Sequence, residues 1–128
     1  MHEFNAMYRE IKLENFLINK GVLKIADFGL SKELEDPLKD TATLVGTPLT
    51  MAPEILEGFK YGLKVDIYSL GVIFYNLLYH GEYPFNAQNI EQLRIVIKQQ
   101  IINFNMKGIK ISLPLQELIQ KMLACDPQ

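Results

Sequence analysis

The chain has 128 residues, 48% of them hydrophobic and 22% charged, the length of one domain with enough apolar material for a core of its own. Its net charge of -2 supplies no broad positive field, which argues against partners such as nucleic acid or an anionic lipid surface. Cys125 is the sole cysteine, so an intrachain disulfide and thiolate metal clusters are excluded and a reducing compartment, cytosolic or nuclear, is expected.

Residues 1 to 7 lack the apolar stretch of a signal peptide. The longest apolar tract, Leu70 to Tyr79, is shorter than a membrane span and contains Asn76, so no span is expected. Phe16-Leu17-Ile18 and Val22-Leu23-Lys24-Ile25-Ala26 are short β-prone runs separated by Asn19-Lys20-Gly21, which predicts a hairpin. Folding it about Gly21 places Asn15 opposite Asp27 at the open end. Two oxygen-bearing side chains there suit Mg²⁺, which prefers hard oxygen ligands completed by water and phosphate. The plain alternative is that Asn15 ends one element and Asp27 begins a turn.

From Ser31 to Thr43 the chain is polar and mixed in charge with no sustained period, which reads as a mobile loop. Asp66 to Tyr79 is apolar nearly all round a helical wheel, starts with Asp66 as N-cap and stops near Gly81, so a core helix is expected. Glu82-Tyr83-Pro84-Phe85 reads as a turn. Asn89 to Gln100 carries Ile90, Leu93, Ile95, Val96 and Ile97 on a helical pattern, and a last amphipathic helix starts at Pro114 and includes Leu115, Leu118, Ile119, Met122 and Leu123.

Five segments together resemble the protein kinase family. Tyr8-Arg9-Glu10-Ile11-Lys12-Leu13-Glu14-Asn15 is similar to its H-R-D-x-K-x-x-N loop, and Asp27-Phe28-Gly29 to its D-F-G triplet. Leu44 to Glu54 resembles the end of an activation segment, G-T-P-x-Y-M-A-P-E, with Thr50 where Tyr is usual. Asp66 to Val72 resembles D-x-W-S-L-G-V with Tyr68 in place of Trp, and Met122 to Pro127 resembles M-L-x-x-D-P. The Unc-51-like, autophagy-initiating group is the nearest in wording around the activation segment.

The resemblance implies a mostly α fold with a small β-hairpin (α+β), a kinase-like C-lobe lacking the N-lobe. Residues 1–128 would be a partial kinase domain, with catalytic loop 8–15, D-F-G at 27–29, activation segment 27–54 and a central helix at about 66–80. It implies an ATP- and Mg²⁺-dependent Ser/Thr kinase acting on protein or peptide hydroxyls. In that reading Glu10 stands where the catalytic Asp is usual and takes the substrate proton, while Lys12 steadies the γ-phosphate. Asn15 and Asp27 hold Mg²⁺, Leu17 packs beneath adenine, and Asp66 braces the catalytic loop backbone. Thr41, Thr43, Thr47 and Glu54 belong to the activation segment. Thr43, and after it Thr41, would be the regulatory phosphosite, its phosphate pairing with Arg9. Glu54 would lack its usual Arg partner, which the family places beyond Gln128.

The departures at Tyr8, Glu10 and Thr50, with no Gly-rich loop present, support an alternative: a non-catalytic, kinase-derived interaction module whose N-lobe-facing surface is open to a protein partner. A small-molecule phosphotransferase is disfavoured by the A-P-E segment. The isolated chain is expected to be inactive.

Overall fold

The structure, a computed structural model, describes residues 2–4, 6–33 and 48–125. It is mostly helical. Among the described residues four α-helices, α1 (Pro53–Leu56), α2 (Lys64–Leu78), α3 (Ile90–Gln99) and α4 (Leu113–Met122), follow four short strands, β1 (Ala6–Met7), β2 (Phe16–Asn19), β3 (Val22–Ile25) and β4 (Lys32–Glu33). Strands β2 and β3 form the expected antiparallel hairpin. A second two-stranded ladder, β1 with β4, has no counterpart in the sequence reading, because two-residue strands carry no alternation to detect.

The hairpin register differs from expectation by one residue. Asn19 pairs with Val22 and Phe16 with Ile25, leaving Lys20 and Gly21 as a two-residue turn with φ of 50° and 75°. Positive φ at both positions is the turn whose twist matches a hairpin. Because Lys20 adopts it, the axis lies between Lys20 and Gly21, and Asn15 stands opposite Ala26, not Asp27. The Ala26 amide donates to the Asn15 carbonyl at 2.9 Å.

Helix α2 runs through the centre. Its buried residues include Val65, Tyr68, Val72 and Tyr75, and these pack with Met51, Ile55, Leu93, Ile97, Ile119 and Leu123 into the main core. Two departures from expectation stand out. The helix begins at Lys64, so Asp66 sits in the first turn and Leu63 takes the N-cap position. Ile67, Phe74 and Leu77 are exposed, so one stripe of the apolar helix faces outward among the described residues. No helix of the described residues is long and apolar enough to cross a membrane.

Local chemistry explains the ends of the other helices. Asn89 caps α3, its Oδ1 accepting the Gln92 amide at 2.9 Å, an interaction worth about 1 kcal/mol. Pro114 occupies the second position of α4, where its missing N–H costs nothing. The extended stretch between α3 and α4 is tied to α2 by two hydroxyls. Tyr75 donates to the Asn103 carbonyl at 2.6 Å and Tyr79 to the Phe104 carbonyl at 2.8 Å. At Gly71 of α2, α4 comes so close that a Cβ there would lie 2.8 Å from the Met122 Cβ.

A smaller cluster of Tyr8, Ile11 and Ile73, with Leu13, Phe16 and Leu70 against it, joins the segment before the hairpin to α2. This is the foundation on which the polar residues of positions 8 to 15 stand.

Candidate functional site

Between β1 and the hairpin, the chain from Tyr8 to Lys12 has no regular structure, and its shape is imposed from outside. Asp66, buried in α2, accepts the Tyr8 amide on Oδ2 at 2.8 Å and the Arg9 amide on Oδ1 at 2.9 Å. His2 Nε2 lies 2.9 Å from the same Oδ2. A carboxylate gripping two successive amides fixes the loop more firmly than neutral bonds would, and Arg9 is held there at a φ of 69°. The brace expected of Asp66 is present.

Side chains of the same two residues then hold the turn after the hairpin. The Tyr8 hydroxyl donates to the Ala26 carbonyl and its ring meets Phe28 edge-on, 5.5 Å between centroids. Arg9 Nε donates to the Leu30 carbonyl at 2.6 Å. Asp27, Phe28 and Gly29 are therefore bracketed on both sides. Asp27 has a φ of 63°, and its Oδ1 accepts the Gly29 amide at 3.1 Å. Burial pushes the Tyr8 phenol above its ordinary value, partly opposed by a hydrogen bond with Asn15.

The structure brings Glu10, Lys12, Asn15 and Asp27 into one neighbourhood. Lys12 Nζ lies 2.5 Å from Glu10 Oε1. That bond, reinforced by the charges of Glu10, Glu14 and Asp27, raises the Lys12 ammonium above its ordinary value. Asn15 is buried and donates from Nδ2 to the Glu10 carbonyl at 3.1 Å, which tethers Glu10 to the start of the hairpin. An amide oxygen and a carboxylate are hard donors of the kind Mg²⁺ takes, usually one or two per site. Among the described residues no group of three or more His, Cys, Asp or Glu side chains could hold a metal ion, so a metal held here would draw its other ligands from elsewhere.

Leu17 lies on β2 with 53% of its surface exposed, beside Ile18 at 77%. Leu23 and Val22 across the hairpin are also exposed. The apolar hairpin thus borders the polar cluster without being covered by other described residues. Beneath the loop a cavity of about 330 Å³ is lined by Lys12, Leu13, Glu14, Thr50, Ile73 and Tyr83.

Glu54 belongs to another neighbourhood. It sits on α1, its carboxyl raised above the ordinary value by burial, and its charge bears on Tyr68 and Cys125. No ion pair is made by Glu54 among the described residues. Burial also raises the Cys125 thiol, which lies 3.4 Å from the Ile97 carbonyl. Thr41, Thr43 and Thr47 lie outside the described residues.

Sequence reasoning did not find the bonds from Tyr8 and Arg9 to Ala26 and Leu30, nor Ser69 Oγ donating to the Thr50 carbonyl at 2.7 Å. Their acceptors are backbone carbonyls, which every residue has.

The family model described as protein kinase domain matches residues 1–128. Serine/threonine-protein kinase PLK4 of Drosophila persimilis is 34% identical over 128 residues, covering 99% of this chain and 16% of that protein. Probable serine/threonine-protein kinase CCRP1 of Zea mays is 40% identical over 129 residues, 99% of this chain and 20% of that protein. RAC-beta serine/threonine-protein kinase of Rattus norvegicus is 43% identical over 105 residues, 81% of this chain and 22% of that protein. The chain thus spans about a fifth of the length of these relatives, and none of their names points to the Unc-51-like group. With the whole chain matched and the loop, turn and brace assembled as described, the chain belongs to the protein kinase family.

Proposed function

We propose that residues 8–29 serve ATP-dependent phosphorylation of Ser or Thr hydroxyls on proteins, within the larger lobe of a kinase domain. The observation that carries this reading is the gathering of Glu10, Lys12, Asn15 and Asp27 on a backbone held by Asp66. Glu10 accepts the proton of the attacking hydroxyl, and Lys12 offers its ammonium to the transferring phosphoryl group. Asn15 and Asp27 would hold Mg²⁺, which when bound neutralises phosphate charge. Leu17, with the exposed hairpin beside it, would meet the adenine and the smaller lobe. Thr43 is the proposed regulatory site. The relatives named above share the kinase description and support the reaction class.

The test is transfer of labelled γ-phosphate from Mg²⁺-ATP to a Ser/Thr peptide pool by residues 1 to 128 joined to a complete N-lobe, with Lys12→Met and Asp27→Asn beside the unsubstituted sequence. Label that requires both residues supports the reading, and label indifferent to both overturns it.

A second reading, a non-catalytic interaction module, draws on the same pair. Glu10 already spends one oxygen on Lys12 at 2.5 Å, and the exposed hairpin suits a protein partner. Absence of transfer together with retained partner capture through Leu17, Ile18 and Leu23 would favour it.

A further inference from the structure

Helix α1 is four residues long, too short to be stable by itself, and its last residue is bonded to α3. Arg94 of α3 turns its guanidinium onto the Leu56 carbonyl at the last residue of α1. Nε lies at 2.9 Å, and Nη2 reaches the same oxygen. One turn further along α3, Lys98 Nζ pairs with Glu57 Oε1 at 2.7 Å. The final carbonyls of a helix have no partner within it, and a cation there also complements the helix dipole. Two donors of one planar fork on one oxygen constrain direction as well as distance, which a lysine cannot do.

At its other end the same segment is held by α2, through Ser69 Oγ and the Thr50 carbonyl at 2.7 Å. The stretch from Pro48 to Glu57 therefore hangs between two helices, and Thr50 is a wall of the cavity that also contains Lys12 and Glu14. We infer that Arg94 is a positioning residue: by fixing Leu56 it sets where Thr50 stands, and so how a protein substrate seats beside the Glu10–Lys12 pair. The inference rests on the phosphorylation reading for its consequence, but not for its geometry.

The test compares the full chain with Arg94→Gln and Arg94→Lys by NMR and by initial rates. Loss of the fork speeds exchange of the Glu57, Gly58 and Phe59 amides about tenfold, the equivalent of one good hydrogen bond, and leaves the hairpin amides unchanged. The Thr50 methyl resonance shifts in Arg94→Gln and moves part of the way back in Arg94→Lys. In rates, measured with residues 1 to 128 joined to a complete N-lobe, the peptide KM rises about fivefold while the ATP KM and kcat hold.

A stationary Thr50 resonance overturns the inference whatever the activity. So does a shifted resonance with an unchanged peptide KM, since Arg94 would then be a structural clamp only. If residues 1 to 128 joined to a complete N-lobe transfer no phosphate, the functional reading fails by itself, and the inference is decided by Thr50 alone.

Discussion

Lys12 Nζ and Glu10 Oε1 stand 2.5 Å apart, so the carboxylate at the centre of the site has one oxygen engaged and one to offer. Glu10 also reaches further than an aspartate by one methylene. A displacement of about 1 Å can cost about 10²-fold in rate. With residues 1 to 128 joined to a complete N-lobe, Glu10→Asp is expected to raise kcat by one to two orders of magnitude at unchanged ATP KM. Equal rates would mean that the loop backbone already absorbs the longer side chain.

Asp66→Asn should be among the costliest single changes. Both carboxylate oxygens accept backbone amides, and an amide side chain must present an NH₂ group to one of them. Stability should fall by about 3 kcal/mol, the scale for charge-assisted bonds lost with a donor left unsatisfied, measured by urea denaturation. A change under about 0.5 kcal/mol, the range of ordinary surface substitutions, would show that the brace carries no load.

Gly71→Ala tests the packing of α2 on α4. Alanine gains about 1 kcal/mol of helix propensity over glycine, yet its Cβ would lie 2.8 Å from Met122 Cβ and 3.2 Å from Leu123 Cδ2. Overpacking of this kind costs about 1–3 kcal/mol, so a net loss of about 1 kcal/mol is expected in the same denaturation assay. A gain in stability would mean that α4 moves aside freely.

Glu54 and Glu57 lie three residues apart and should respond to pH with opposite signs. Burial raises the Glu54 carboxyl, so its contribution is full below the ordinary glutamate value of about 4.3 and is lost as pH rises through the folded value. Lys98 lowers Glu57, so its contribution is present above that ordinary value and lost as pH falls through the folded one. In melting temperature against pH, Glu54→Gln should remove a decline on the rising side and Glu57→Gln a decline on the acid side. Parallel curves for both variants would contradict the assignment.

Local pattern is enough for the hairpin and the three longer helices, because alternation, periodicity and caps such as Asn89 are written in neighbouring residues. It misses by one residue at the hairpin, where Lys20 accepts a positive φ that a side chain usually avoids. It misplaces the start of α2 for a different reason. An aspartate before an apolar run reads as a cap, but Asp66 is drawn to amides far away in sequence, and the helix begins before it. Composition round the wheel also suggests complete burial of α2, whereas Ile67, Phe74 and Leu77 face outward.

For the site, Glu10, Lys12, Asn15 and Asp27 are visible as a motif and do assemble. What shapes them is less visible. The fork of Arg94 on Leu56 and the hydroxyl of Tyr8 on Ala26 end on carbonyl oxygens, and only three-dimensional placement selects one carbonyl among all of them.

The grip of Asp66 on the Tyr8 and Arg9 amides also dictates an order of events during synthesis. These bonds close loops of 58 and 57 residues, and contacts so distant in sequence are slow to form. Residues 8 to 15 leave the ribosome well before α2 does, at about 5–20 residues per second. For that interval of several seconds the loop has polar side chains and no template, and its braced shape arrives only when the helix behind it has been made.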